Sequence, residues 1–152
     1  MAQYFFDTSA FAKYYHTEIG SLRVAAIFAE PGREIRVSSL GVLETQAAFA
    51  MKVRSGELTR EAAGSQRAMM MLDIAAGMIA VYGLRGDHLL AAERLIGRHS
   101  FTRPLRTLDA LQLAIALELS QYGLLDSFVV ADKRLSKVAA AEGLTVLNPE
   151  LP

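Results

Sequence analysis

Apolar residues in this chain fall in short runs bounded by charge, glycine or proline, and the runs alternate between two periods. Tyr4-Phe5-Phe6, the stretch from Glu34 to Ser38 with Ile35 and Val37 on one face, Met78 to Tyr82, Phe128 to Val130 and Thr145 to Leu147 are aromatic or β-branched, as strands require. Helical patterns lie between them. Ala10 to Tyr15 is one; Gly20 to Ala29 is a second, with Leu22, Ala25, Ala26 and Ala29 at helical spacing, stopped by Glu30-Pro31-Gly32. A Ser-capped helix runs from Ser38 to Gly56, and Thr59 opens another that passes Met69, Met70 and Met71 to about Ala76; the two form a helical hairpin. Asp87 is placed to cap a helix from His88 to about His99. Beyond Pro104, TLDALQLAIALELSQYG is apolar nearly all round, the mark of a helix buried on most sides, and a last helix ends near Gly143. Strands alternating with helices predict an α/β fold of three layers, with a short central parallel sheet covered by helices on both faces.

A chain of 152 residues that is 52% hydrophobic can bury one core unaided, which predicts a single domain over residues 1–152. No apolar stretch is long enough to span a bilayer, and the amino terminus lacks a basic-then-apolar signal pattern, so a cytoplasmic location is expected. Cysteine is absent, which removes disulfides, thiolate nucleophiles and thiolate metal sites together. Lys plus Arg number 16 and Asp plus Glu 16, so any polyanion must be held by a local patch.

Four acids stand in unusual company. Asp7 and Asp132 each follow an apolar strand directly and should emerge at the carboxyl edge of a parallel sheet, where ligands bind. Glu44 has Leu40, Gly41, Ala47 and Ala48 three and four positions away, which puts a charge on the packing face of its helix. A carboxylate so placed needs a partner or a metal. Asp109 opens the most apolar helix of the chain. Each acid separately has a structural role to hand, since Asp7 can cap a helix and Asp109 can complement a helix dipole. Together they predict a shared site for Mg²⁺ or Mn²⁺, hard cations that take carboxylate oxygens and need neither Cys nor His. From Arg94 to Leu108 four arginines occur with no acid among them, and Arg94, Arg98, Arg103 and Arg106 are candidates for phosphate contacts beside Asp109, Arg103 and Arg106 first among them.

FFDTSAFAKYY, SSLGVLE, LDALQLAIAL and VVADKRL, continuing into EGLTVLNP, occur in the order found in PIN-domain ribonucleases, and the chain resembles in particular the toxin subunit of VapBC-type toxin-antitoxin pairs over nearly its whole length. The resemblance implies a PIN-like α/β/α fold, with Asp7, Glu44, Asp109 and Asp132 as the catalytic acids that bind divalent metal. It implies a metal-dependent endoribonuclease in which metal-activated water attacks phosphorus in line. It also implies a homodimer and a small cognate antitoxin. One departure concerns Val130: many members carry Thr or Ser two residues before the fourth acid, where a hydroxyl helps orient the metal or its water.

Two alternatives belong to other classes. A non-catalytic PIN-like interaction module would suit the neutral net charge, Val130 and the Met69 to Met71 stripe, which is most simply core and secondarily an oligomer surface. An aspartyl-nucleophile phosphatase also begins with an acid after its first strand, but requires a second Asp two positions on, where Ser9 stands.

Overall fold

A computed structural model describes residues 1–152. Five strands form one wholly parallel sheet: β1 (Gln3–Phe6), β2 (Glu34–Ser38), β3 (Ala80–Tyr82), β4 (Ser127–Val129) and β5 (Val146–Leu147), in the order β3-β2-β1-β4-β5. Seven helices cover it: α1 (Thr8–Tyr15), α2 (Ser21–Ala29), α3 (Ser39–Arg54), α4 (Arg60–Ala75), α5 (Gly86–His99), α6 (Thr107–Gln121) and α7 (Lys133–Ala141). The order is the one expected from the sequence, and none of the helices is long and apolar enough to cross a membrane.

Successive side chains of a strand point to opposite faces, so Phe5 and its neighbours Tyr4 and Phe6 enter different cores. Phe5 stacks on Phe128 at 5.7 Å between ring centroids and packs with Leu113, Ile115, Val130 and Val138 beneath α5, α6 and α7. Phe6 meets Phe11 and Phe28 edge to face, in a second cluster with Val24, Ile35, Val37 and Met70. Phe5 and Phe128 are fully buried, so Phe128→Ala should cost about 3–5 kcal/mol in urea unfolding. A loss below about 1 kcal/mol would mean that the central sheet is not packed this way.

Three expectations are corrected. The buried stripe of α2 is Val24, Ile27 and Phe28, whereas Leu22 is 90% exposed. Phe28 decides this, because its ring stacks on Tyr14 at 3.8 Å and closes the second core more completely than the alanines of the opposite face can. Of the three adjacent methionines only Met70 is buried, since neighbours on a helix lie about 100° apart and cannot share one face; Met69 and Met71 are exposed. The N-cap of α5 is Arg85, with Asp87 inside the first turn, because His88 Nδ1 accepts from the Arg85 backbone N–H (2.9 Å) while its Nε2 meets Glu118 (2.9 Å).

The strand order places a switch point at the centre of the sheet. From β1 the chain builds outward through β2 and β3, then returns across α6 to β4 on the other side of β1. Loops leaving β1 and β4 therefore diverge at their carboxyl ends and leave a crevice. Crossover helices run antiparallel to the strands they connect, so the first turn of α6 opens at that same edge.

Candidate active site

Asp7 follows β1 directly, and its N–H continues the ladder to Val129 O (2.9 Å), which fixes it between β1 and β4. It caps α1 as well. Oδ2 accepts from Ser9 N (3.0 Å) and Ser9 Oγ (2.6 Å), an Asx-type turn that the Asp-Thr-Ser order allows. Ser9 Oγ in turn accepts from the N–H groups of Ala131 (3.0 Å) and Asp132 (3.2 Å), so one hydroxyl joins the loop after β1 to the loop after β4.

Glu44 reaches the same edge from α3. Its Oε1 accepts from Thr8 Oγ1 (3.3 Å) and from Gln112 Nε2 (3.2 Å), while Gln112 Oε1 accepts from Ser38 Oγ (2.7 Å). Ser38 Oγ also accepts from Gly41 N (2.8 Å), capping α3. A Cβ at Gly41 would stand 3.2 Å from Gln112 Nε2, so the absent side chain is what admits the amide. Gln112 is fully buried, with its donor and acceptor both engaged. Gln112→Leu should therefore lower stability by about 1–3 kcal/mol, because it keeps the volume but strips Ser38 and Glu44 of a buried partner. A urea midpoint equal to that of the wild type would contradict this network.

Asp109 and Asp132 share one cation. Arg106 Nε donates to Asp109 Oδ2 (2.9 Å), and its Nη2 lies 3.6 Å from Asp132 Oδ2. Asp132 Oδ1 is committed to capping α7 through the N–H groups of Arg134 (2.8 Å) and Leu135 (3.0 Å). At Asp7, Glu44 and Asp109 the hydrogen bonds fall on one oxygen only, leaving Asp7 Oδ1, Glu44 Oε2 and Asp109 Oδ1 without a donor. As the side chains stand, with Arg106 bridging two of the acids, no three Asp, Glu or His side chains are gathered around one point that an ion could occupy.

Burial is the main reason why the Asp7 carboxyl titrates at about 6 rather than in the usual carboxylate range. Its hydrogen bonds to Ser9 oppose that shift, and the charges of Asp109 and Glu44 add to it. Glu44 is also raised, again chiefly by burial, with Gln112 and Thr8 opposing and Asp109 contributing. The charges of Asp7, Glu44 and Asp109 thus act on one another across this edge.

The candidate arginines divide. Arg106 is on the acids, Arg98 is held by Glu142 (2.7 and 2.8 Å) away from them, and Arg94 lines a separate groove between α5 and α6. Arg103 lies in the loop before Arg106 and opens onto a cavity beside α7. The supporting residues Ser9, Thr8, Ser38 and Gln112 were not singled out from the sequence as parts of the site. For Gln112 a signal existed: it is an uncharged amide one turn after Asp109 in the most apolar stretch of the chain.

No family model and no curated protein matches the chain. Solved structures do. The toxin VapC20 of Mycobacterium tuberculosis, which cleaves the sarcin-ricin loop, superposes with a TM-score of 0.67 at 18% identity, covering 97% of this chain and 98% of that one. VapBC2 from Rickettsia felis bound to a promoter DNA fragment gives 0.62 at 15% identity, over 95% and 97% of the two chains. FitAcB from Neisseria gonorrhoeae gives 0.59 at 15%, over 96% and 97%. The chain has the PIN-like α/β/α fold. At such low identity the likeness is one of fold. Within this PIN-like fold Val130 is a fully buried core residue, packed with Leu135 and Val138. The hydroxyl beside the Asp132 loop comes instead from Ser9 on α1.

Proposed function

We propose that the protein is a metal-dependent endoribonuclease, the toxin of a toxin-antitoxin pair, acting through Asp7, Glu44, Asp109 and Asp132. One observation carries this reading: Asp7, Glu44 and Asp109, at the same sheet edge, each keep one carboxylate oxygen free of hydrogen bonds while the other accepts from a neighbouring group. Asp7 is buried and Glu44 half-buried at one sheet edge, and both carboxyls are raised there chiefly by that burial, a cost that capping or pairing alone does not require. The donor set is all oxygen, which suits Mg²⁺ or Mn²⁺. When bound, the metal would supply Lewis acidity to the scissile phosphate and activate the attacking water.

The protein's own residues hold the acids in place. Ser9 locks Asp7 to the Asp132 loop, and Gln112 and Thr8 hold Glu44. Arg106 bridges Asp109 and Asp132, offsetting part of their charge, and, at 71% side-chain exposure, is free to turn outward onto a substrate phosphate. Purified protein incubated with RNA and Mn²⁺ should leave 5′-phosphate and 3′-hydroxyl ends and should be silent in chelator. Cyclic-phosphate ends, or full cutting in chelator, would rule the reading out.

VapC20 is a toxin, and FitAB and VapBC2 are complexes bound to DNA, a likeness that supports a small antitoxin as a partner here. Leu43, Met51, Met69 and Leu72 on the α3–α4 hairpin, with Leu89 and Leu90 on α5, are exposed apolar residues and support a homodimer. A monomer by light scattering at micromolar concentration would count against it.

A further inference from the structure

Asp132 has one oxygen to offer. Its Oδ1 is committed to the N–H groups of Arg134 and Leu135 at the start of α7, so only Oδ2 is open to a cation, and Arg106 Nη2 stands 3.6 Å from it. The same guanidinium donates from Nε to Asp109 Oδ2 at 2.9 Å. Its charge reaches past these two acids: it acts on Glu44, and the charge of Asp7 acts on it. Arg106 thus faces all four acids.

The fold does not need this pairing in order to form. Arg106 is the N-cap of α6, but the cap uses no side-chain hydrogen bond. The Arg106 side chain is 71% exposed, whereas those of Asp109 and Asp132 are 13% and 27% exposed. A long, exposed side chain that lies down onto two acids gives up rotamer freedom, and an exposed ion pair repays little of it. What the contact does supply is positive charge on the oxygens that any other cation at this edge would require.

We infer that Arg106 is an internal competitor of the divalent cation: the guanidinium and the ion claim the same carboxylates, so Arg106 must turn away from Asp109 and Asp132 before the four acids can hold an ion. The inference rests on the metal reading of this edge and adds a gate to it. Two cations drawn to one Asp132 oxygen exclude each other, since their repulsion grows with the product of their charges and a divalent ion doubles it. The acids therefore bind an ion more weakly than they would alone, by the free energy of breaking the bridge. For an exposed pair that is up to about fivefold in affinity. The coupling is reciprocal, so whatever draws Arg106 outward tightens the ion, and the ion frees Arg106 by the same factor.

The test is Mn²⁺ binding to the whole protein without RNA, read from the electron paramagnetic resonance signal of the free ion at constant ionic strength. Arg106→Gln should bind Mn²⁺ about fivefold more tightly than wild type. Arg134→Gln removes an exposed charge two residues from Asp132 whose side chain pairs with no acid, and should change the affinity by less than about twofold. A gain at Arg106 below about twofold, or an equal gain at Arg134, would overturn the inference. Titration with Mg²⁺ followed by NMR gives a second readout. The Arg106 Nε–H resonance, identified by its loss in Arg106→Gln, should leave its hydrogen-bonded position as the ion binds, while that of Arg98, held by Glu142, stays. An ion that binds with the Arg106 resonance in place would likewise overturn it. If wild type and Arg106→Gln bind Mn²⁺ equally well, the competition fails and the metal reading stands. If neither binds Mn²⁺ in the millimolar range, the metal reading itself fails and takes the competition with it.

Discussion

Asp7→Asn and Asp109→Asn should each reduce RNA cleavage by at least about a hundredfold, while binding of labelled RNA in chelator changes little. An asparagine amide in place of the Asp7 carboxylate can still accept the two hydrogen bonds from Ser9, so the turn and the start of α1 survive. What disappears is the negative charge of the carboxylate, whose Oδ1 no donor engages. Lewis-acid catalysis is worth several kcal/mol, and each 1.36 kcal/mol is tenfold in rate, which sets the size of the loss. Asp109→Asn acts in addition on Arg106, whose only near partners are Asp109 and Asp132. Cleavage assays with Mn²⁺ in excess decide the matter: a variant cutting within about threefold of wild type would remove its residue from the site.

The same substitution at Asp7 should stabilise the metal-free protein at neutral pH. In the unfolded chain Asp7 titrates near its ordinary value of 3.8, and in the fold at about 6, so between these values the folded state binds more protons. Stability then falls as pH rises, by the sign of the linkage relation, and the loss is complete above the folded value. The distance from 3.8 to about 6 corresponds to roughly 3 kcal/mol. Asparagine does not titrate. Thus Asp7→Asn should unfold with a free energy up to about 2–3 kcal/mol above wild type at about pH 7.5 in chelator, and the gap should close as pH drops from about 6 to 4. Glu118 acts oppositely: against its burial, His88 and Arg85 bring it down to about 2, so its stabilisation is lost only as pH falls below the ordinary Glu value. That contribution is common to both proteins and cancels in the difference. Urea unfolding of the pair across this range is the measurement, and a gap that is flat with pH, or of the other sign, would mean that the Asp7 charge is not costly in the fold. Mn²⁺ at about one hundred times its dissociation constant should return about 2.7 kcal/mol to wild type and much less to the variant.

The chain by itself determined the order of elements and the place of the acids along them. Apolar runs of strand length that alternate with helical periods leave little choice but a parallel sheet between helices, and an acid after such a run must emerge at the carboxyl edge. Asp7, Glu44, Asp109 and Asp132 were legible for that reason, each being a charge against its local pattern. Surface apolar residues were not. Leu22 and Met69 satisfy a helical period as well as Val24 and Met70 do, and which is buried depends on what another element brings to meet the helix, as Phe6 and Tyr14 do for Phe28 on α2. The supporting hydrogen bonds were likewise hidden, since Ser9 meets residues 131 and 132, and Gln112 meets residues 8, 38 and 44, only after the sheet has closed. The division of the arginines has the same cause. Position in sequence puts Arg98, Arg103 and Arg106 together, whereas Glu142, an open concavity and Asp109 separate them, because an ion pair depends on distance in space and a helix turns its neighbours to different sides.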